Sequence, residues 1–264
     1  MQPVKTNYAA LDQPEILAFL FHPRAEYADQ AAPEAARNVL IPVADDIVVG
    51  GRFHMAHPEG PNLLFFHGNG EIVADYVDLG PVYNQVGINF LPVDYRGYGR
   101  SSGRPTISAM LQDCRTILDF TRAWLKANRY RGPLIVMGRS LGSASALELA
   151  WRHPDQLDAL VVESGFAYAG PLLQRLGISL ATVGFDEARG FGQIAKIKTF
   201  EKPTLIIHAE FDHIIPFSDG QALFDACPSP GKRFLKIPGA NHNDIIMRGL
   251  AAYLAAIKKL VERL

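Results

Sequence analysis

Apolar residues along this chain form short unbroken runs that alternate with longer stretches of helical periodicity. A short continuous apolar run is typical of a strand buried on both faces of a sheet. Such runs predict strands over residues 62–68, 88–95, 133–139, 159–164, 203–210 and 232–238. Between them, as in residues 107–126 and 246–264, apolar positions recur every three or four residues and predict amphipathic helices. This alternation predicts an α/β protein with a mostly parallel central sheet and helices on both faces.

Three stretches depart from this alternation of strand and helix patterns. The run VLIPVADDIVVGGRFHMA predicts two antiparallel strands around Asp45 and Asp46 at the edge of the sheet. Residues 1–38 have a weak pattern, and we expect an N-terminal surface extension there. Residues 164–202 separate two predicted strands by more than a simple connection, which predicts a small helical, lid-like insertion over the carboxyl ends of the strands. One ordinary helix with a long loop is the alternative. We expect residues 1–264 to form a single domain.

Composition narrows the class of protein. Of the 264 residues, 48% are apolar and 20% are charged, so the chain can bury a sizeable core. A net charge of −1 argues against a nucleic-acid or anionic-membrane surface, which needs a concentrated basic face. Cys114 and Cys227 are too few for a disulfide framework, and we expect both to be reduced and structural. The sequence shows no secretory signature and no apolar segment long enough to cross a membrane, so we expect a cytoplasmic protein.

Two segments match Gly-x-Ser-x-Gly, a pattern that marks many serine nucleophiles: GRSLG at residues 138–142 and GRSSG at residues 99–103. The chemistry requires the serine on a sharp turn directly between a buried strand and a helix. Ser140 follows the predicted strand PLIVM and precedes an Ala- and Leu-rich helix. Ser101 follows a glycine-rich polar loop and is soon followed by Pro105, which discourages a helix there. We therefore interpret Ser140 as the nucleophile and Ser101 as a loop serine.

A serine hydroxyl needs a base to accept its proton, and the base needs an acid to orient it. His242 lies between the last predicted strand and the C-terminal helix, where the base is expected in this chain order. Asp212 follows the predicted strand 203–210 and is our candidate for the acid. Glu163, at the end of another strand, and Asp244, close to His242, are the alternatives.

The negative charge that develops on the substrate oxygen needs two donors. We expect them to be the backbone N–H groups of Leu141, directly after the nucleophile, and of Asn69, in the segment HGNG after the first core strand. His67 is expected to brace that loop rather than to transfer protons. Taken alone, HGNG is equally consistent with a simple tight turn.

Together HGNG, DYRGYGRSSG, GRSLGS, FDHIIP and NHND resemble the α/β-hydrolase superfamily, from about residue 45 to the C-terminus. They look most like the small serine hydrolases of the α/β-hydrolase-domain group, which includes protein depalmitoylases and lysophospholipases. The resemblance implies the α/β-hydrolase fold, a triad of Ser140, Asp212 and His242, and an oxyanion hole formed by the N–H groups of Asn69 and Leu141.

The chain departs from that group at Ala209 and Ser143, where glycine is usual, and at Glu71, where small or amide residues are frequent. None of these changes removes a reacting group. We expect Glu71 to lie near the pocket mouth and to disfavour anionic substrates.

We therefore expect a serine hydrolase that cleaves a small-molecule carboxylic ester or thioester through an acyl-enzyme, with no cofactor and no metal. A peptidase or amidase of the same fold is the first alternative. A non-catalytic binding protein on a hydrolase scaffold is the second. The sequence does not indicate an oligomeric state.

Overall fold

The computed structural model describes residues 8–26 and 36–264, which contain one eight-stranded sheet. Its strands are β1 Ala36–Ala44, β2 Ile47–His54, β3 Asn62–Phe66, β4 Asn89–Val93, β5 Leu134–Arg139, β6 Ala159–Glu163, β7 Thr204–Ala209 and β8 Arg233–Ile237. Each of the six predicted core strands is present within one or two residues of its predicted ends.

The strands lie in the order β1-β2-β4-β3-β5-β6-β7-β8. All pairs from β4 to β8 are parallel, whereas β1 and β2 pair antiparallel with each other and β2 pairs antiparallel with β4. The antiparallel hairpin turns at Asp46, which has a φ of 56°. The predicted fold class, a mostly parallel sheet with an antiparallel hairpin at its edge, is confirmed.

Helices cover both faces of this sheet. They are α1 Pro14–Leu20, α2 Leu79–Gln85, α3 Ile107–Ala127, α4 Ser143–Arg152, α5 Ala169–Arg175, α6 Gln193–Ile197, α7 Phe217–Ala226 and α8 Ile245–Val261. The two helices predicted from periodicity correspond to α3 and α8. The hydroxyl of Thr106 caps α3 by accepting the N–H of Ala109 at 3.0 Å, which satisfies one donor of the first turn. In the part of the chain that the structure describes, no helix is long and apolar enough to cross a membrane.

Strand β3 shows why the apolar runs are unbroken. Leu64 and Phe66 point into the core that α3 and α4 cover, whereas Leu63 and Phe65 point into the opposite core, with α8. Successive side chains of a strand alternate between faces, so a strand covered on both sides needs an apolar residue at every position. Because β3 to β8 run parallel, their carboxyl ends lie at one edge of the sheet.

The N-terminal region differs from the expected surface extension over residues 1–38. Ala36 already belongs to β1, and Leu11, Ile16 and Leu20 are buried. The pattern was weak because α1 has only seven residues, two of them buried. Residues 1–7 and 27–35 of the expected extension lie outside the described residues. The predicted insertion, residues 164–202, contains the short helices α5 and α6.

Candidate active site

Ser140 occupies a sharp turn between β5 and α4. Its φ of 51° lies in the left-handed region, which is costly for a residue with a side chain and common at functional sites. The turn is also very tight, because a Cβ on Gly138 would lie 2.2 Å from the carbonyl oxygen of Gly142. A Cβ on Gly142 would lie 2.1 Å from the carbonyl oxygen of Phe66. The two glycines of the motif are therefore required by packing.

The structure brings Ser140, His242 and Asp212 into one hydrogen-bonded chain. His242 Nε2 lies 3.0 Å from Ser140 Oγ. On the other side of the ring, Nδ1 lies 2.8 Å and 3.0 Å from the two carboxylate oxygens of Asp212. All three residues are buried. A proton on Nδ1 leaves Nε2 free to accept the hydroxyl proton of Ser140, so the arrangement has the geometry of a nucleophile, a base and an orienting acid.

Asp212 is held as a carboxylate acceptor. Its Oδ1 accepts the backbone N–H groups of Ile214 and Ile215 at 3.0 Å and 2.8 Å. Burial by itself raises the pKa of Asp212, but the hydrogen bond and charge of His242, together with the N–H of Ile215, lower it below its ordinary value. The side chain is therefore ionised at neutral pH and can stabilise a positive charge on the imidazole ring.

The two alternative acids are engaged elsewhere. Glu163 accepts the hydroxyl of Tyr253 at 2.6 Å and faces Arg139. Asp244 accepts the backbone N–H of Asn241 and the Nε of Arg248, both at 2.6 Å. Among the described residues, Asp212 is the carboxylate within hydrogen-bond distance of the His242 ring.

His208, on β7, supports the loop that carries Asp212. Its Nε2 donates to the carbonyl oxygen of Ile215 at 2.9 Å. Burial lowers the pKa of His208, so the ring is neutral and is suited to a single donated bond. His208 therefore has a structural role in the loop that carries Asp212.

The loop after β3 carries Asn69. Its side-chain oxygen accepts the backbone N–H of His22 at 2.9 Å and the hydroxyl of Tyr98 at 2.8 Å. Within residues 8–26 and 36–264, no hydrogen bond occupies the backbone N–H of Asn69. His67 braces the same loop, with its Nδ1 2.8 Å from the carbonyl oxygen of Gly68 and its Nε2 3.2 Å from Asp94. The roles of Asn69 and Leu141 as oxyanion donors stay predictions.

The second Gly-x-Ser-x-Gly segment has a structural role. Ser101 Oγ accepts the backbone N–H of Gly50 at 2.9 Å, and Ser102 Oγ accepts that of Val48 at 3.0 Å. Both hydroxyls therefore tie this loop to β2. A Cβ on Gly99 would lie 2.2 Å from the carboxylate of Asp94, so that glycine permits a close approach within the loop. This placement agrees with the interpretation of Ser101 as a loop serine.

Glu71 requires a correction. Its carboxylate is not a free charge at a pocket mouth, because it accepts the backbone N–H of Gly68 at 2.6 Å and the hydroxyl of Tyr76 at 2.5 Å. It also pairs with Arg139 at 2.5 Å. Arg139 is shared with Glu163, so one positive charge faces two carboxylates, and the effect of Glu71 on anionic substrates stays a prediction. Sequence reasoning missed Arg139, although an arginine at the end of a buried strand was a visible signal.

The N-terminal segment is the other part of the site that the sequence did not reveal. Arg24 Nε donates to the carbonyl oxygen of Gly70 at 2.8 Å, and its guanidinium pairs with Asp75. Together with the N–H of His22 on Asn69, these bonds fasten residues 22–24 to the HGNG loop. No hydrophobic pattern signals such contacts, because they use main-chain groups and exposed polar side chains. In the described part of the chain, no cluster of His, Cys, Asp or Glu is suited to hold a metal ion.

A strand–serine–helix turn, a hydrogen-bonded His and Asp, and this sheet order together define a serine hydrolase architecture. The family model described as serine aminopeptidase, S33, matches residues 58–184. The chain is 34% identical over 211 residues to human alpha/beta hydrolase domain-containing protein 17B, covering 76% of this chain and 66% of that protein. It is 29% identical over 196 residues to protein bem46 of Schizosaccharomyces pombe, covering 70% and 62% of the two chains.

Solved structures share the fold. An esterase of Pyrococcus furiosus superimposes with a TM-score of 0.73 at 17% identity, covering 92% of this chain and 98% of that one. Monoglyceride lipase of Saccharomyces cerevisiae, solved with a substrate analogue, gives 0.69 at 18% identity, covering 90% and 97%.

The chain belongs to the α/β-hydrolase superfamily. Its relatives at 31–34% identity include members of the α/β-hydrolase domain-containing 17 group, and the match spans 59–66% of their length.

Proposed function

We propose that this chain hydrolyses carboxylic esters or thioesters of small molecules through an acyl-enzyme on Ser140. One observation carries the proposal: His242 Nε2 lies 3.0 Å from Ser140 Oγ while Asp212 holds the opposite side of the ring. Positioned in this way, the imidazole can remove the hydroxyl proton as the oxygen attacks an acyl carbon.

Acylation begins when His242 takes the proton of Ser140 and the oxygen adds to the carbonyl carbon. The carbonyl oxygen becomes an oxyanion, which the backbone N–H groups of Leu141 and Asn69 stabilise. His242 then gives the proton to the leaving alcohol or thiol, and the acyl group remains on Ser140. Asp212, ionised at neutral pH, stabilises the transient imidazolium.

Deacylation repeats these steps with water as the nucleophile. His242 removes a proton from water, the hydroxide adds to the acyl carbon, and the same two N–H groups hold the second oxyanion. Collapse of this intermediate returns the proton to Ser140 Oγ and releases the carboxylic acid. The cycle uses only side chains and main-chain groups of this protein.

A peptidase or amidase is the second candidate, favoured by the aminopeptidase description of the matching family model. The same triad can cleave an amide, but an amine leaves less readily than an alcohol or a thiol and depends more on the proton that His242 donates to it. We rank ester and thioester cleavage first, because the described residues of the insertion form short helices and no additional domain that would select a peptide.

Labelling with a fluorophosphonate probe tests the proposal. We expect one adduct on Ser140 and none in Ser140→Ala, with a loss of turnover of at least about 10³-fold, because the nucleophile acts as part of a unit with the base. Ser101→Ala is the matched control, since it removes the hydroxyl of the second motif, and it should keep both labelling and turnover. Absence of an adduct on Ser140 in the wild-type protein would sink the hydrolase proposal.

The substrate class is tested with p-nitrophenyl esters of increasing acyl length beside matched thioesters and anilides. We expect measurable turnover of esters and thioesters and much slower cleavage of anilides. Anilides cleaved as fast as esters would replace this proposal with the amidase.

A further inference from the structure

Arg139, which directly precedes the nucleophile, ends β5 with its guanidinium buried among three acceptor groups. Its Nη1 lies 2.5 Å from Glu71 Oε1, and its Nε lies 3.1 Å from Glu163 Oε1. Its Nη2 donates to the carbonyl oxygen of His242 at 2.7 Å. Only 12% of the side chain is exposed. The planar fork of an arginine can bind in these three directions at once, which a lysine ammonium on a flexible stem does less well.

Each of these partners belongs to a different part of the candidate site. The second oxygen of Glu71 accepts the N–H of Gly68, in the loop that carries Asn69. The bond to the carbonyl of His242 holds the main chain of the base itself. Through Glu71 and His242, Arg139 therefore connects the nucleophile to the oxyanion loop and to the base.

Glu163 completes the arrangement from β6. One of its oxygens faces Arg139, and the other accepts the hydroxyl of Tyr253 from α8. Burial raises the pKa of Glu163, and the positive charge of Arg139 opposes this effect. The two carboxylates in turn raise the pKa of Arg139 above its ordinary value despite burial, so the guanidinium is charged at neutral pH.

The packing leaves little freedom for this guanidinium. A Cβ on Gly68 would lie 2.8 Å from Arg139 Nη1 and 2.9 Å from Glu71 Oε2, so the glycine of the HGNG loop makes room for the ion pair. Arg100 stands at the matching position of the second Gly-x-Ser-x-Gly segment and is exposed. The two motifs thus share Gly-Arg-Ser, but the buried ion-pair network described above involves the arginine of the first motif.

We propose that Arg139, acting with Glu71, is a positioning residue that holds His242 and the oxyanion loop at the correct distance and orientation from Ser140. The inference rests on the proposed serine hydrolase function. Arg139 does not touch the reacting atoms and acts through the main chain of His242 and through the loop that presents the N–H of Asn69. Errors of about 1 Å in such placement cost on the order of 10²-fold in rate, because proton transfer and oxyanion stabilisation both depend on short, aligned contacts.

Arg139→Lys, Arg139→Gln and Glu71→Gln test the proposal, with Arg100→Gln as the matched control. Each variant is titrated with a fluorophosphonate probe to count reactive sites, and kcat per titrated site and KM are measured with a p-nitrophenyl ester. Circular dichroism checks that each variant is folded. Glu71→Gln retains an oxygen for the N–H of Gly68 and places an NH₂ group, which cannot accept from Arg139, where Oε1 was. It breaks the ion pair while keeping the loop acceptor, so it remains informative if Arg139→Gln fails to fold.

We expect Arg139→Lys to lower kcat per titrated site by about 10- to 100-fold with KM within about two-fold, because positioning affects the transition state more than binding. Glu71→Gln should show a smaller loss of the same kind, and Arg100→Gln should match the wild type. A merely structural role would lower the melting temperature and the number of reactive sites but leave kcat per site unchanged, and that result would overturn the proposal. If the wild-type protein itself is neither labelled nor active, the serine hydrolase function fails instead, so the two failures are distinguishable.

Discussion

Replacing Asp212 with asparagine is the sharpest perturbation of the candidate site, because the structure determines how the new amide would lie. Oδ1 of Asp212 accepts two backbone N–H groups, from Ile214 and Ile215, which only an oxygen can accept. The carbonyl oxygen of the asparagine must therefore take that position. Its NH₂ group then replaces Oδ2, which lies 2.8 Å from His242 Nδ1.

An NH₂ group at that place donates a hydrogen bond and forces Nδ1 of His242 to accept it. The ring proton then resides on Nε2, which faces Ser140 Oγ at 3.0 Å and can no longer take the hydroxyl proton. Stabilisation of the imidazolium by a negative charge is lost at the same time. Holding the base in the wrong tautomer costs about 10⁴-fold in kcat in triads of this kind, equivalent to about 5 kcal/mol of transition-state stabilisation.

The assay is the hydrolysis of a p-nitrophenyl ester by Asp212→Asn, with circular dichroism to verify folding. Glu163→Gln and Asp244→Asn are measured in parallel, because they remove the other two candidate acids while leaving the contacts of Asp212 in place. We expect the loss of about 10⁴-fold for Asp212→Asn alone. A variant that keeps a tenth or more of the wild-type kcat would refute the tautomer argument and direct attention to Glu163 or Asp244.

Two further predictions concern buried groups outside the site. Burial, followed by the charge of Arg52, lowers the pKa of His54 from the ordinary 6.5 to about 4. Between pH 6.5 and 4 the unfolded chain therefore binds a proton that the folded protein does not bind. Acidification from pH 6.5 to 4 should lower the free energy of unfolding of the wild type by up to about 3 kcal/mol more than that of His54→Gln. Urea unfolding at several pH values measures this difference, with the exposed His22→Gln as control, and equal pH dependence in all three proteins would contradict the prediction. Cys114 and Cys227 are free and buried, and burial raises the pKa of the Cys114 thiol, so a disulfide reagent should modify both only after unfolding. Rapid modification of either thiol in the native protein would be the opposite result.

The predictable part of the fold follows from burial. Strand β3 is apolar at every position because both of its faces are covered, and α3 shows a helical period because one of its faces is covered. The position of Ser140 between such a strand and a helix could be recognised from the same pattern. The N-terminal segment could not, since α1 is too short to show a period and residues 22–24 act through main-chain hydrogen bonds.

The sequence by itself determined the class of fold, the order of its elements, and the candidate serine and histidine, because hydrophobic periodicity and the order of motifs are local properties of the chain. It left Glu163 and Asp244 as alternatives to Asp212, and the structure places Asp212 against the His242 ring. Only the tertiary structure decided which charged side chains pair with one another at the site. The sequence suggested a free carboxylate at Glu71 and assigned no role to Arg139 in GRSLGS, and the second motif also carries an arginine at this position. Their pairing depends on loops that are distant along the chain and meet at one edge of the sheet. No local pattern specifies such a meeting, since it arises from the packing of the whole molecule.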